Sequence, residues 1–119
     1  MILAKSPLRV TNTASRLCAK AITSVTGLTA VVKEPNDVLI AGSKVAGMLA
    51  ETREQRVVLG IGVNVNQSAG ELPERSEIPA SSLRIERGHE VDRLELLVEL
   101  LARLEQSYDA WVAGGPAQN

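Results

Sequence analysis

The sequence predicts an α+β fold, a mainly antiparallel sheet with helices packed on one face, and three observations carry that expectation. β-Branched stretches cluster between residues 28 and 66 and are joined by connections too short for parallel crossovers. Helical apolar spacing is confined to the two flanks of that region. The chain has 119 residues, 45% of them hydrophobic and 23% charged, enough for one modest core and too apolar for a disordered segment.

Each element follows in order. Residues 14–26 place Leu17, Cys18, Ala21, Ile22 and Val25 at helical spacing, and Gly27 is a natural stop. From Leu28 to Lys33 the texture is that of a strand. Glu34-Pro35-Asn36-Asp37 reads as a turn, because proline presets φ and Asn or Asp bonds back to the backbone. A second strand runs through Ile40 and turns at Ala41-Gly42-Ser43. Lys44 to Glu51 forms a third, Thr52 to Gln55 a polar turn, and Arg56 to Asn66, "RVVLGIGVNVN", a fourth. Residues 67–80 hold two prolines and a glycine and read as an irregular loop. Ser81 to Glu86 is a short extended or helical piece before a turn at Arg87-Gly88-His89. Asp92 is then an N-cap with Glu95 completing a capping-box pattern and Val91 stapling onto Leu96. Leu94, Leu97, Leu101, Leu104, Tyr108 and Trp111 recur every three or four residues, which predicts an apolar helix face laid on the sheet, ended by Gly114-Gly115-Pro116.

Composition excludes several functions. A formal net charge of -1 and only two aromatic residues, Tyr108 and Trp111, leave neither the basic field nor the stacking platforms that nucleic acid requires. One cysteine, Cys18, and one histidine, His89, cannot build a cysteine-rich or histidine metal cluster. No apolar run reaches a membrane span, and the amino terminus lacks signal-peptide order, so the expected location is cytoplasmic. Cys18 is expected in the core and His89 in solvent.

Two stretches offer chemistry. In "VVKEPNDVLI" Lys33 stands at a strand end beside the turn, either as a solvated charge or as a fixed cation for a carboxylate or phosphate. Asn36 and Asp37 either support the turn or, for Asp37, hold a hydrated metal ion. In "GIGVN" Gly60 and Gly62 interrupt an otherwise strong strand, which points to a bulge, to tight packing, or to a flat ligand laid against the backbone with Asn64 as its polar contact. The absence of a following helix rules out a phosphate loop or dinucleotide fingerprint.

Together "KEPNDVLIAGSKVAGMLAE", "VVLGIGVNVNQ", "ELP", "ASSLR" and "DRLELLVELLARLEQSYDAW" resemble the biotin protein ligase family of the biotin and lipoate ligase superfamily, over residues 14–112. The resemblance implies a single partial catalytic domain over residues 1–119, the carboxy-terminal half, without the family's DNA-binding domain or carboxy-terminal barrel. It implies biotin and ATP as substrates, with Mg2+ accompanying ATP, and a biotin carboxyl carrier protein as acceptor. Lys33 would contact the biotin carboxylate and adenylate phosphate, Gly47, Gly60 and Gly62 would admit the ligand, and Asn64 would read adenine. The family's glycine-arginine loop is absent, and Glu34 replaces the motif tryptophan. A homo-oligomer or a separately encoded amino-terminal half is therefore expected. The alternatives are a catalytically silent binding or assembly module and a lipoate- or octanoyl-transferring relative.

Overall fold

The computed structural model describes residues 7–74 and 77–114. Helix α1 spans Pro7–Thr26, and four strands follow: β1 (Ala30–Lys33), β2 (Asp37–Ile40), β3 (Ser43–Arg53) and β4 (Arg56–Val63). A 3-10 turn at Ala69–Glu71, the short helix α2 (Leu83–Arg87) and the long helix α3 (Arg93–Gly114) complete the chain. The strands form one antiparallel sheet in the order β1-β2-β3-β4, the meander expected from short connections.

Turn chemistry sets each reversal. Gly27, at φ 77°, takes the left-handed conformation that ends α1, and its N–H bonds to the Thr23 carbonyl at 2.8 Å. Ala41 and Gly42 both have positive φ, 51° and 83°, which matches the twist of a tight two-residue hairpin. Glu54 and Gln55 do the same between β3 and β4, so that hairpin turns two residues later than expected, and β3 runs on to Arg53. The Glu34–Pro35 bond in the first turn is cis.

One sheet face packs on α1, and α3 packs chiefly on α1. Ala14, Cys18, Ala21 and Ile22 from α1 meet Val38, Ile40, Val45, Ala46 and Met48 from the sheet, joined by Leu83, Val91, Leu96 and Leu100. Adjacent transverse rows of the sheet alternate faces. The row Val32, Val38, Ala46, Val63 turns toward the helices, with Val38 and Ala46 fully buried. Among the described residues no helix is long and apolar enough to cross a membrane.

Three further expectations require correction. Helix α1 begins at Pro7, seven residues before the predicted start. The fourth strand ends at Val63 rather than Asn66: Asn64 N–H still bonds to the Val45 carbonyl of β3, but the Asn64 carbonyl accepts from Leu83 N–H instead of from β3. The third concerns α3. Asp92 caps it as expected, accepting from Leu94 and Glu95 N–H at 2.9 and 3.1 Å, but the buried stripe is Leu96 and Leu100 with Leu104 half-buried. Leu94, Leu97, Leu101 and Tyr108 are 67%, 49%, 54% and 60% exposed. Leucines crowd more than one side of this helix, and docking on α1 rather than flat on the sheet selects the 96-100-104 row. An apolar groove of about 400 Å³ remains between α3 and β4, lined by Leu59, Ile61, Val63, Leu97 and Leu101 among others. The Trp111 side chain, Gly115 and Pro116 lie outside the described residues.

Candidate functional site

The strand register gathers residues that are far apart in sequence. Lys33 pairs with Asp37, Asp37 with Gly47, and Gly47 with Gly62, which makes one transverse row across all four strands. That row is one step from the apolar row facing α1, so it lies on the helix-free face. At about 4.8 Å per strand the row spans roughly 14 Å. Gly60, paired with exposed Leu49, continues the same face two residues along β4.

Three glycines make part of this face a floor of bare backbone. A side chain added at Gly62 would meet nothing within 4 Å, and one at Gly60 only the Leu49 carbonyl at 3.7 Å. At Gly47 a Cβ would approach Lys44 Cε and Nζ to 3.2 Å, so this glycine already has an occupant above it. The floor is open. The two largest clefts described, of about 450 and 400 Å³, lie at the end of β4 and between β4 and α3, and neither includes Lys33 or the glycines.

The polar residues divide by function. Lys33 is exposed and pairs with no carboxylate among the described residues. Asp37 faces Lys44 across the strands, with Nζ and Oδ1 3.0 Å apart, and is the more buried partner. Asn36 supports the turn: its side-chain N–H donates to the Met48 carbonyl at 2.9 Å, and its own carbonyl accepts from Met48 N–H at 2.9 Å. Asn64 donates through Nδ2 to the Ser81 carbonyl at 3.1 Å, which leaves Oδ1 outside that bond. Exposed Glu34 sits in the turn beyond Lys33. His89 is exposed, and its ring faces the Glu90 carbonyl. Cys18 is a core residue, and its burial pushes the thiol up to about 12, which leaves it a poor nucleophile.

Sequence reasoning missed Lys44 and Asn66. On a regular strand Lys44 and Gly47, three apart, would face opposite ways. On β2, however, Val38 pairs with Ala46 and Leu39 with Lys44, so Val45 is an extra residue; Val45 and Ala46 both stay buried, and Lys44 and Gly47 on either side of them come to the open face. Nothing in "GSKVAG" announces that. Asn66 exchanges two hydrogen bonds of 2.9 Å with the backbone of Val91 and so ties the end of β4 to the start of α3. Ser82 acts similarly, donating to the Gln67 carbonyl and accepting from Ile85 N–H to cap α2. In the 3-10 turn Glu71 accepts from the backbone and hydroxyl of Ser68, which holds its carboxyl below the usual range.

A magnesium ion held by protein carboxylates does not fit this donor set. Asp37 already faces an ammonium, and no group of three His, Cys, Asp or Glu residues among the described residues could hold a metal.

The sheet thus carries helices on one face and a glycine floor with lysines beside it on the other. The model of the biotin/lipoate A/B protein ligase family matches residues 4–68, and the chain belongs to that family. Its relatives are more specific. The bifunctional ligase/repressor BirA of Bacillus spizizenii is 32% identical over 118 residues, which is 95% of this chain and 36% of the relative. The biotin–[acetyl-CoA-carboxylase] ligase of Mycobacterium tuberculosis is 40% identical over 85 residues, 71% of this chain and 30% of the relative. Biotin protein ligase from Aquifex aeolicus superposes with a TM-score of 0.81 at 30% identity, over 90% of this chain and 47% of that one. The same Aquifex enzyme solved with biotin and ATP gives 0.79 at 31% identity, over 87% and 44%. The chain thus spans less than half the length of these relatives.

Proposed function

We propose that this chain supplies the sheet half of a biotin protein ligase site: biotin, ATP and biotinyl-5'-adenylate lie on the helix-free face, and the product is a biotinylated carrier-protein lysine. The observation that carries this reading is the row Lys33, Asp37, Gly47, Gly62, which sets a cation at one end of a bare backbone floor in a chain of the biotin/lipoate ligase family. In the first step a biotin carboxylate oxygen attacks the α-phosphorus of ATP and the α–β phosphoanhydride bond breaks, releasing pyrophosphate. In the second, an acceptor amine attacks the acyl carbon, the bond to AMP breaks, and an amide forms with loss of a proton. Negative charge accumulates near the reacting phosphorus and acyl oxygens in both steps, and a preorganised ammonium at Lys33 stabilises it.

The glycines admit the ligand close to the strands, and Asn64 is the adenine contact through the oxygen its structural bond leaves unused. Magnesium arrives with the ATP phosphates rather than on protein ligands. An open floor covers a ligand on one side only, so in this reading an arginine-bearing loop from an amino-terminal half supplies the other side. The acceptor is a biotin carboxyl carrier protein, and the setting is cytoplasmic. The chain then acts as a single part of one catalytic domain.

A second reading, a silent binding or assembly module, draws on a different observation. β4 is an edge strand with one side unpaired, and beside it runs the groove with exposed Leu97 and Leu101. A strand from an amino-terminal half or a second copy could complete the sheet there. Transfer of labelled biotin to a carrier protein, with the amino-terminal half of the Aquifex enzyme added in trans, separates the two. Lys33-dependent transfer supports the ligase reading. Association without transfer at any concentration supports the assembly module.

A further inference from the structure

The Asn64 carboxamide is held by a relay of hydrogen bonds to which the reading above gives no role. Its Nδ2 donates to the Ser81 carbonyl at 3.1 Å, and the Asn64 backbone carbonyl accepts from Leu83 N–H at 2.9 Å. The segment that carries Ser81 is laid in parallel against the start of β3, with Ala80 bridged to Lys44. Lys44 N–H bonds to the Pro79 carbonyl at 2.7 Å, and Ser81 N–H to the Lys44 carbonyl at 2.9 Å. Ser81 is 3% exposed, and its hydroxyl donates to the half-buried Glu86 carboxylate on α2. A carboxylate on α2 thus reaches Asn64 through one residue.

We propose that Glu86 and Ser81 are positioning residues for Asn64, and that through it they set which nucleobase the site accepts. The proposal rests on the functional reading above and deepens it. A carbonyl oxygen only accepts, so the Ser81 carbonyl fixes which way round the Asn64 carboxamide stands. Turned over, Asn64 would set its own oxygen against that carbonyl. Adenine offers a donor at its exocyclic amine beside an acceptor at the neighbouring ring nitrogen, and hypoxanthine offers the reverse pair. A free carboxamide turns to suit either base, whereas a pinned one suits only the amino base and sets like groups against the other. A pinned carbonyl requires a pinned segment. The buried Ser81 hydroxyl would be costly without an acceptor, and the segment would shift to relieve it. Glu86 supplies that acceptor and so keeps the Ser81 carbonyl against Asn64.

The test is calorimetric titration of two non-hydrolysable analogues, biotinyl-adenylate and its hypoxanthine counterpart, into the unaltered chain, Glu86→Ala, Glu86→Gln, Asn64→Ala, and Glu86→Ala in the Asn64→Ala background. The quantity read is the ratio of the two affinities. Both ligands bind the same folded chain, so a loss of folded population weakens both alike and leaves their ratio unchanged. The unaltered chain should prefer the adenylate about tenfold, the size of one hydrogen bond gained or lost. Glu86→Ala should bring the ratio toward one, and Glu86→Gln, which keeps an oxygen for the Ser81 hydroxyl, should restore it. In the Asn64→Ala background Glu86→Ala should change the ratio no further. Several outcomes would overturn the proposal. A preference that Glu86→Ala leaves intact makes the Ser81–Glu86 bond structural. A preference lost equally in Glu86→Gln, or changed by Glu86→Ala without Asn64, shows that Glu86 does not act through this relay. Equal binding of both analogues by the unaltered chain ends the base selection while the functional reading stands. Binding of neither overturns the functional reading, and the role of Glu86 with it.

Discussion

Replacing Asn66 with alanine tests how the carboxy-terminal helix is tied to the sheet. The Asn66 amide donates to the Val91 carbonyl and accepts from the Val91 N–H, both at 2.9 Å, across twenty-five residues of sequence. Val91 is 2% exposed, so truncation leaves a buried donor and a buried acceptor unpaired. Each such group costs about 1 to 3 kcal/mol, which gives roughly 2 to 6 for the pair. The cleft at the end of β4 is lined by Asn66 and Glu90 and admits water to one side, which moves the expectation to the lower part of that range, about 2 to 3 kcal/mol. Urea unfolding followed by circular dichroism reads this directly. With a slope of about 1.5 kcal/mol/M the midpoint should fall by roughly 1.3 to 2 M with the slope unchanged. A loss below 1 kcal/mol would show that the amide bridge does not hold α3 in place and would refute the reasoning.

Further predictions follow from burial and titration. Leu100→Ala, at a buried position of α3, should cost about 2 to 4 kcal/mol, while Leu97→Ala, half-exposed on the groove, should cost under about 1; equal losses in urea unfolding would reverse the assigned helix face. Cys18, raised from 9.0 to about 12 by burial, stays a neutral thiol in the folded chain, while the unfolded chain releases its proton near 9. Its contribution is therefore fully present below about pH 9 and lost as pH rises toward 12, so stability should fall across that window, and Cys18→Ala should flatten the fall. Thiol reagents at neutral pH should label Cys18 only at the rate of unfolding. Ser82→Ala removes both the α2 cap and the bond to the Gln67 carbonyl and should cost about 1 to 3 kcal/mol in the same unfolding assay.

Much of the fold was legible because local chemistry and tertiary structure agree. β-Branched runs, a proline turn and short connections specified four antiparallel strands, and Asp92 marked the start of α3 through the bonds it makes. The lost information is tertiary. Leucines recur on more than one face of α3, and sequence spacing alone does not decide which row meets α1: the 94-97-101 row has the spacing of a buried face and is exposed. A bulge adds one residue and inverts every face assignment beyond it, which hid Lys44. Of the candidate site residues, Lys33, Asp37, Gly47 and Gly62 fall in one row, while Asn36 and Asn64 spend side-chain hydrogen bonds on backbone carbonyls. An asparagine beside a strand serves a ligand or a backbone with the same donor and acceptor, and only the fold tells which.

The most direct test of the central claim is amide chemical-shift mapping of the isotopically labelled chain during titration with the biotinyl-adenylate analogue. Shifts should concentrate at Lys33, Gly47, Gly60 and Gly62 on the helix-free face and weaken with Lys33→Ala, with the buried α1 amides unmoved. Saturable shifts confined to the α3–β4 groove, or no shifts at millimolar ligand, would contradict it.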